Sequence, residues 1–175
     1  MARLYDQFAV VETNHVAAVR TGQIKAQYPT DDHVDAENGM LLVVDDVNKV
    51  VHRSADGKER GIHLHASEER LYEGQQGRSS WMLDGTKQIP KMLKLNIGDI
   101  FETNAVDDGD FANIAAVKDA LNADDAVYGI AHDSGLIELK DDALDLSEYF
   151  TVLQVVEVVT LPNETEGMKF TVIKA

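Results

Sequence analysis

The stretch that decides the fold is MLLVVDDVNKVVHRSADGKERGIHLHA, residues 40–66. It contains three apolar or alternating runs, MLLVVDD, VNKVVHR and GIHLHA, each with the length and pattern of a β-strand. Residues 45–48 and 55–57 separate these runs and supply the Asp, Asn and Gly residues that favour turns. The stretch therefore predicts an antiparallel meander of three strands.

The next part of the chain predicts two more short strands and a helix. KMLKLNIGDIFETNAV, residues 91–106, has a bend at Ile97-Gly98-Asp99 between two apolar pieces. DGDFANIAAVKDALNA follows with apolar residues at helical spacing, and Asp108 or Asp110 can cap its start. An amphipathic helix is therefore expected over about residues 110–122.

Two hairpins are expected to close the chain. AVYGIAHDSGLIELK turns at residues 133–135, and YFTVLQVVEVVTLP pairs with GMKFTVIKA. So many strands with one helix predict a mainly β (α+β) protein, folded as an antiparallel β-barrel or sandwich. Residues 1–38 are expected to form an N-terminal arm, or a strand followed by a loop, and residues 39–175 a single β-rich domain.

The chain is strongly acidic and contains no cysteine. It has 31 Asp and Glu against 16 Lys and Arg, which gives a formal net charge of −15. Such a surface repels phosphate backbones, so no nucleic-acid partner is expected, and no disulfide or thiolate site can form. Asp6 and Glu12 interrupt the N-terminal apolar run, and no later run reaches membrane-spanning length. We therefore expect no signal peptide, no membrane partner and synthesis in a cytoplasm.

A pair of histidines in the third strand suggests one chemical site. His63 and His65 alternate on GIHLHA and would share a strand face, and Glu69 could complete a three-ligand metal site. Gly57 and these three residues match the first motif of cupin barrels up to its glutamate. The closing glycine of that motif is displaced, and the block at residues 93–114, where the second motif is expected, has no histidine.

The alternative interpretation is a strand with two histidines that are hydrogen-bonded or face solvent. Ile62 and Leu64 flank them as core residues, and the alternation of GIHLHA is typical of any half-buried strand. This interpretation requires neither metal nor cofactor. The metal interpretation instead implies a cupin-like enzyme, such as an isomerase or a dioxygenase.

Four blocks of the chain resemble small structural proteins of tailed bacteriophages. These blocks are ARLYDQFAVVETNHVAAVRTGQI, LLVVDDVNKVVH…HLHASEERLY, LKLNIGDIFETNAVDDGDFANIAAVKDAL and TVLQVVEVVTLPNETEGMKFTVIKA. Proteins of this kind are typically encoded beside the major capsid protein and are assigned to head decoration or head stabilisation. The resemblance extends over nearly all of the chain. It implies a non-enzymatic decoration or cement protein on the outer surface of the virion capsid, made in the cytoplasm of a host bacterium.

The resemblance also implies partners. The major capsid protein is the expected partner, and proteins of this kind are often homo-oligomers, in particular trimers. Tyr5, Phe8, Tyr28 and Trp81 are candidate interface residues, and the alternative for each is a place in the protein's own core. Within the virion, a head–tail connector or tail subunit is the alternative assignment, because it would share the β-rich character.

Overall fold

A computed structural model describes six segments of the chain. They are residues 9–16, 23–31, 34–67, 82–84, 88–161 and 164–175. The strands are β1 (Val11–His15), β2 (Ile24–Lys25), β3 (Asp35–Glu37), β4 (Leu41–Asp45), β5 (Val50–Arg53), β6 (Ile62–His65), β7 (Met82–Asp84), β8 (Met92–Lys94), β9 (Ile100–Thr103), β10 (Val106–Asp107), β11 (Tyr128–Ala131), β12 (Ile137–Lys140), β13 (Val152–Thr160) and β14 (Glu166–Lys174). The helices are α1 (Ile114–Asn122) and a 3₁₀ turn at Leu146–Glu148.

Two sheets form a sandwich-like fold. The larger has seven strands in the order β1-β9-β14-β13-β11-β12-β10, and the smaller has five in the order β2-β8-β6-β4-β5. All pairs between the described strands are antiparallel except the parallel pair β10–β12. The prediction of a mainly β protein with one helix is therefore confirmed. Of the two predicted architectures, barrel and sandwich, the described strands form the sandwich-like one and not a closed barrel.

The main core contains side chains from both large sheets. Leu41 and Leu64 of the five-stranded sheet belong to the same buried cluster as Phe101 and Phe170 of the seven-stranded sheet. The two phenylalanine rings stack with their centroids 5.7 Å apart. Val117 of α1 is buried in this cluster too, so the single helix is attached to the same core.

A second apolar cluster covers the other face of the five-stranded sheet. Leu42 and Val44 belong to it, although their neighbours Leu41 and Val43 belong to the main core. Because successive strand residues point to opposite faces, β4 is buried on both sides. This double burial explains why its sequence, LLVV, is continuously apolar instead of alternating.

The predicted three-strand meander is wrong in its pairing. β6 pairs with β4 and not with β5, since Leu41 lies opposite Leu64. The outer edge of β5 is already bonded: the N–H of Asp31 donates to the carbonyl of Val51, and the N–H of Val51 donates to the carbonyl of Pro29, both at 2.9 Å. The free edge of β4 was therefore the available site for β6.

The helix is shorter than predicted and has a different cap. It begins at Ile114, and the side chain of Asn113 accepts a hydrogen bond from the N–H of Ala116 at 3.1 Å. Asp110, one of the expected caps, instead accepts a bond from Lys140 Nζ at 3.2 Å, and its N–H donates to the carbonyl of Leu139 at 3.0 Å. Residue 110 therefore joins the loop to β12 before the helix starts.

Candidate functional site on the histidine strand

The two histidines of β6 lie on the face of the five-stranded sheet that points away from the main core. Ile62 and Leu64 belong to the main core, so the alternation of the strand places His63 and His65 on the opposite face. His65 lies opposite Met92 and His63 opposite Lys94 on the neighbouring strand β8. Both histidines are buried, with 0% of His65 and 6% of His63 exposed.

His65 has protein hydrogen-bond partners on both ring nitrogens. Nδ1 lies 2.8 Å from the carbonyl oxygen of Glu37, and Nε2 lies 2.8 Å from Ser67 Oγ. A carbonyl can only accept, so Nδ1 carries the proton. Ser67 Oγ already accepts the N–H of Lys91 at 2.9 Å, which leaves its hydroxyl hydrogen to donate to Nε2. The imidazole is therefore held as one neutral tautomer.

A clamp of buried polar groups surrounds this imidazole. Asn38 donates from Nδ2 to the carbonyl of Ser67 at 3.0 Å and accepts the N–H of Ser67 at 2.8 Å. The next residue, Gly39, donates its N–H to the carbonyl of His65 at 2.8 Å. The turn after β3 and the end of β6 are thus joined by a closed set of bonds, which we call the His65 clamp, made of Glu37, Asn38, Gly39, His65 and Ser67.

The environment of the His65 clamp suppresses protonation. Burial lowers the pKa of His65 from its ordinary value of 6.5 to about 4, although the bond to Glu37 acts in the opposite direction. The ring is therefore neutral at neutral pH, and the lone pair of Nε2 is occupied by the Ser67 hydroxyl. A side chain in this state holds structure together and has no free nitrogen for a metal or a proton transfer.

His63 has a different environment on the same face. Nδ1 lies 2.7 Å from the carbonyl oxygen of Gly61, so this nitrogen donates, while Nε2 is buried and has no hydrogen-bond partner. Burial is the largest cause that lowers the pKa of His63, and the ammonium groups of Lys25 and Lys94 lower it further. The carboxylate of Asp46 acts in the opposite direction. His63 therefore sits among charges, whereas His65 sits among neutral dipoles.

The described residues provide no third ligand for the hypothetical metal site. Glu69, its expected carboxylate, lies outside the described residues. Within the segments that the structure describes, no group of three or more histidine, aspartate or glutamate side chains is placed to hold a metal ion. Of the two histidine ligands, His65 already has both nitrogens bonded to protein atoms.

A polar cavity of about 440 Å³ opens beside His63. Three cationic side chains line it: Lys25 from β2, Arg60 from the loop before β6, and Lys94 from β8. Sequence reasoning missed this group because its members come from three separate segments. The alternation of GIHLHA indicates that His63 shares a face with His65, but it gives no register to place Lys94 opposite it.

One of the four candidate interface residues can be placed. Tyr28 packs partly against the second apolar cluster. A hydrogen bond to Asp46 is the largest of the causes that raise the pKa of its phenol. Tyr5, Phe8 and Trp81 lie outside the described residues. Tyr28 thus borders the same charged region as His63.

Likeness to known proteins adds nothing to the description of this region. No protein-family model, curated protein or solved structure matches the chain. Among the described helices, none is long and apolar enough to cross a bilayer.

Proposed function

We propose that this chain is a structural protein of a tailed-bacteriophage virion, a cement protein that binds the outer surface of the head and stabilises it. The major capsid protein is its partner. The observation that carries the proposal is where the four phage-like blocks lie in the fold. They include β4, β5 and β6 of one sheet and β9, β13 and β14 of the other, so the resemblance covers the main core and is not confined to a single loop.

The charge of the chain supports the same proposal. With a net charge of −15, copies of the protein on neighbouring particles repel each other, which keeps particles soluble and separate. The same charge disfavours binding to packaged DNA during assembly. A protein on the outside of a shell benefits from both effects.

Such a protein stabilises the shell through repeated contacts and needs no chemistry. Each copy adds a modest interface across a subunit boundary, and a capsid subunit must then break several contacts together before it leaves. Exposed apolar side chains at turns are the natural anchors for such an interface. Val47, at the β4–β5 turn, is 88% exposed, and Ile97, at the bend before β9, is 71% exposed.

Cosedimentation with capsids of the phage or prophage that encodes the chain tests the proposal. We expect the full chain to sediment with expanded shells and to raise the temperature at which those shells rupture. Val47→Asp should weaken the association, because it places a carboxylate in an apolar contact. Val156→Asp is the matched control: it makes the same change at an exposed valine of the other sheet, on β13.

Two results would count against a cement protein. Failure to bind expanded shells at micromolar concentration would remove the proposal. Closed rings of the purified chain in native mass spectrometry, together with binding to portal or tail assemblies, would favour a connector or tail subunit instead. A trimer that binds expanded shells is the expected result.

A further inference from the structure

Two of the three cations that line the cavity beside His63 lack carboxylate partners among the described residues. Several lysines elsewhere on the described surface form ion pairs, such as Lys58 with Glu148, Lys118 with Glu166 and Lys169 with Glu157. Lys94 and Arg60 form no ion pair with any described residue; this is also true of Lys49, but Lys94 and Arg60 line the same cavity. In a chain with almost twice as many acidic as basic residues, unpaired cations in one concave site indicate an anion-binding role.

Two of the three cations are already oriented by their neighbours. The Arg60 guanidinium lies 4.6 Å from the centre of the Phe150 ring, which also lines the cavity. Lys25 Nζ lies 3.0 Å from Asp46 Oδ1, and the same carboxylate bonds the Tyr28 hydroxyl. Side chains that are held before binding lose less conformational entropy when a ligand arrives.

The charge balance of the lining stays positive. Asp46 is the one acidic side chain among the described residues of the lining. Ala175, the last residue of the sequence, also lines the cavity. Even with a free carboxylate at Ala175, the cations Lys25, Arg60 and Lys94 outnumber the anions by three to two.

His63 lines the same cavity with a ring whose Nε2 is buried from solvent. Its Nδ1 is bonded to Gly61, and its buried Nε2 has no partner. Protonation of the ring would place a positive charge beside an anion in the cavity. An anion in the cavity would also offset the repulsion that the imidazolium meets from Lys25 and Lys94.

From these observations the geometry points to a binding site for a small organic anion, one that carries a phosphate or carboxylate group, in the cavity lined by Lys25, Arg60, His63 and Lys94. A volume of about 440 Å³ is in the range of small-molecule sites. Arg60 supplies a planar fork for a phosphate or carboxylate, and the two lysines supply point charges. This inference does not depend on a role in virions.

Titration of the full chain with inorganic phosphate and, separately, with glutarate tests the inference and distinguishes the two anion types. The His63 ring nitrogens, followed by NMR, should shift saturably with at least one probe, with a dissociation constant of roughly a millimolar or tighter. Lys94→Gln and Arg60→Gln should each weaken binding roughly tenfold, because each removes one charge-assisted contact. Lys118→Gln, at an exposed lysine on α1, is the matched control and should leave binding unchanged.

Binding of glutarate, which stays a dianion in this range, should also strengthen as the pH falls from 8 to 6.5. The charged groups that face His63 are Lys25, Lys94 and Asp46, and the anion adds negative charge to this set, which raises the pKa of His63. His63→Phe should keep the binding but lose this dependence on pH. The inference is overturned if neither probe shifts His63 up to roughly 10 mM, or if Lys118→Gln weakens binding as much as Lys94→Gln.

Discussion

His63 and His65 are two residues apart on one face of one strand, yet their surroundings differ completely. Both nitrogens of His65 are bonded to neutral protein groups inside the His65 clamp. His63 has one bonded nitrogen, one nitrogen without a partner, and lysine ammonium groups nearby. The same side chain therefore stabilises the fold at one position and leaves unused binding capacity at the other.

The difference shows that one end of β6 contributes to stability, whereas the other end borders a cavity. At the His65 end, residues 37–40 fold back over β6 and satisfy its polar groups, which excludes water and ligands. At the His63 end the cavity remains open, and Lys94 and Arg60 have no carboxylate partner among the described residues. Substitutions that break the clamp should therefore cost stability, whereas those at the cavity should mainly change binding.

The largest effect is expected from Gly39→Ala in the His65 clamp. Gly39 has a φ of +89°, and a Cβ there would lie 2.0 Å from the buried Thr103 Oγ1. That oxygen accepts the N–H of Ala105 at 3.0 Å, so moving it also disturbs a buried hydrogen bond. Backbone strain and overlap together should lower the free energy of unfolding by about 4 kcal/mol. Urea denaturation of both proteins measures this difference.

Gly98→Ala is the control for the backbone part of this effect. Gly98 has a φ of +91°, close to that of Gly39, but no atom lies within 4 Å of the position its Cβ would take. It should therefore lower the free energy of unfolding by only about 1 kcal/mol. Equal decreases in the free energy of unfolding for the two variants would show that the close approach of Gly39 to Thr103 adds nothing to the cost of Gly39→Ala.

Acidification should weaken the protein through His65. In the unfolded chain this histidine takes up a proton near its ordinary pKa of 6.5, whereas in the folded protein the pKa is about 4. Between these values the unfolded state binds more protons, so the free energy of unfolding falls as the pH decreases. The loss should reach roughly 3 kcal/mol by pH 4.

Urea denaturation at a series of pH values between 7 and 4 measures this loss. The pKa of His63 is also lowered, so this residue contributes in the same direction. The carboxyl groups of Asp45 and Asp46 also have lowered pKa values, but their ordinary value is 3.8, so they lose their contribution mainly below this window. His65→Phe should make the curve clearly less steep between pH 6.5 and 4, because the contribution of His65 is removed. Parallel curves for the two proteins would contradict the assignment to His65.

The sequence predicted most strands and one helix because their patterns are local. The run at residues 62–65 alternates, and the residues around 97–99 and 133–135 form turns, so these strands could be located without knowing their partners. The pairing of β6 with β4 could not be predicted in this way. It depends on residues 29–31, which occupy the outer edge of β5 although their sequence, PTD, has no strand pattern.

The site was harder to predict than the fold because the contacts that define it are long-range. The motif spacing of His63 and His65 indicated a shared face, which the strand has. It could not indicate that Asn38, Glu37 and Ser67 would surround His65. The grouping of the cavity cations could not be predicted either. Lys25 and Lys94 are 69 positions apart in the sequence and come together only because β2, β8 and β6 are neighbours in the sheet.

The smallest of the three stability effects compares the two histidines directly. His65→Phe leaves the Ser67 hydroxyl hydrogen without its acceptor in a buried site and removes one bond from the carbonyl of Glu37, so it should cost about 2 kcal/mol at pH 7. His63→Phe also removes one bond to a carbonyl. Both carbonyls keep a backbone donor, since Glu37 accepts the N–H of Met40 at 3.3 Å and Gly61 accepts the N–H of Val44 at 2.8 Å. His63→Phe also eliminates a buried nitrogen without a partner, so its cost should stay near 0.5 kcal/mol, by a rough estimate. Thermal and urea unfolding of the two variants at pH 7 measure the difference. A larger loss for His63→Phe than for His65→Phe would mean that the position beside the cavity, and not the clamp, stabilises this sheet.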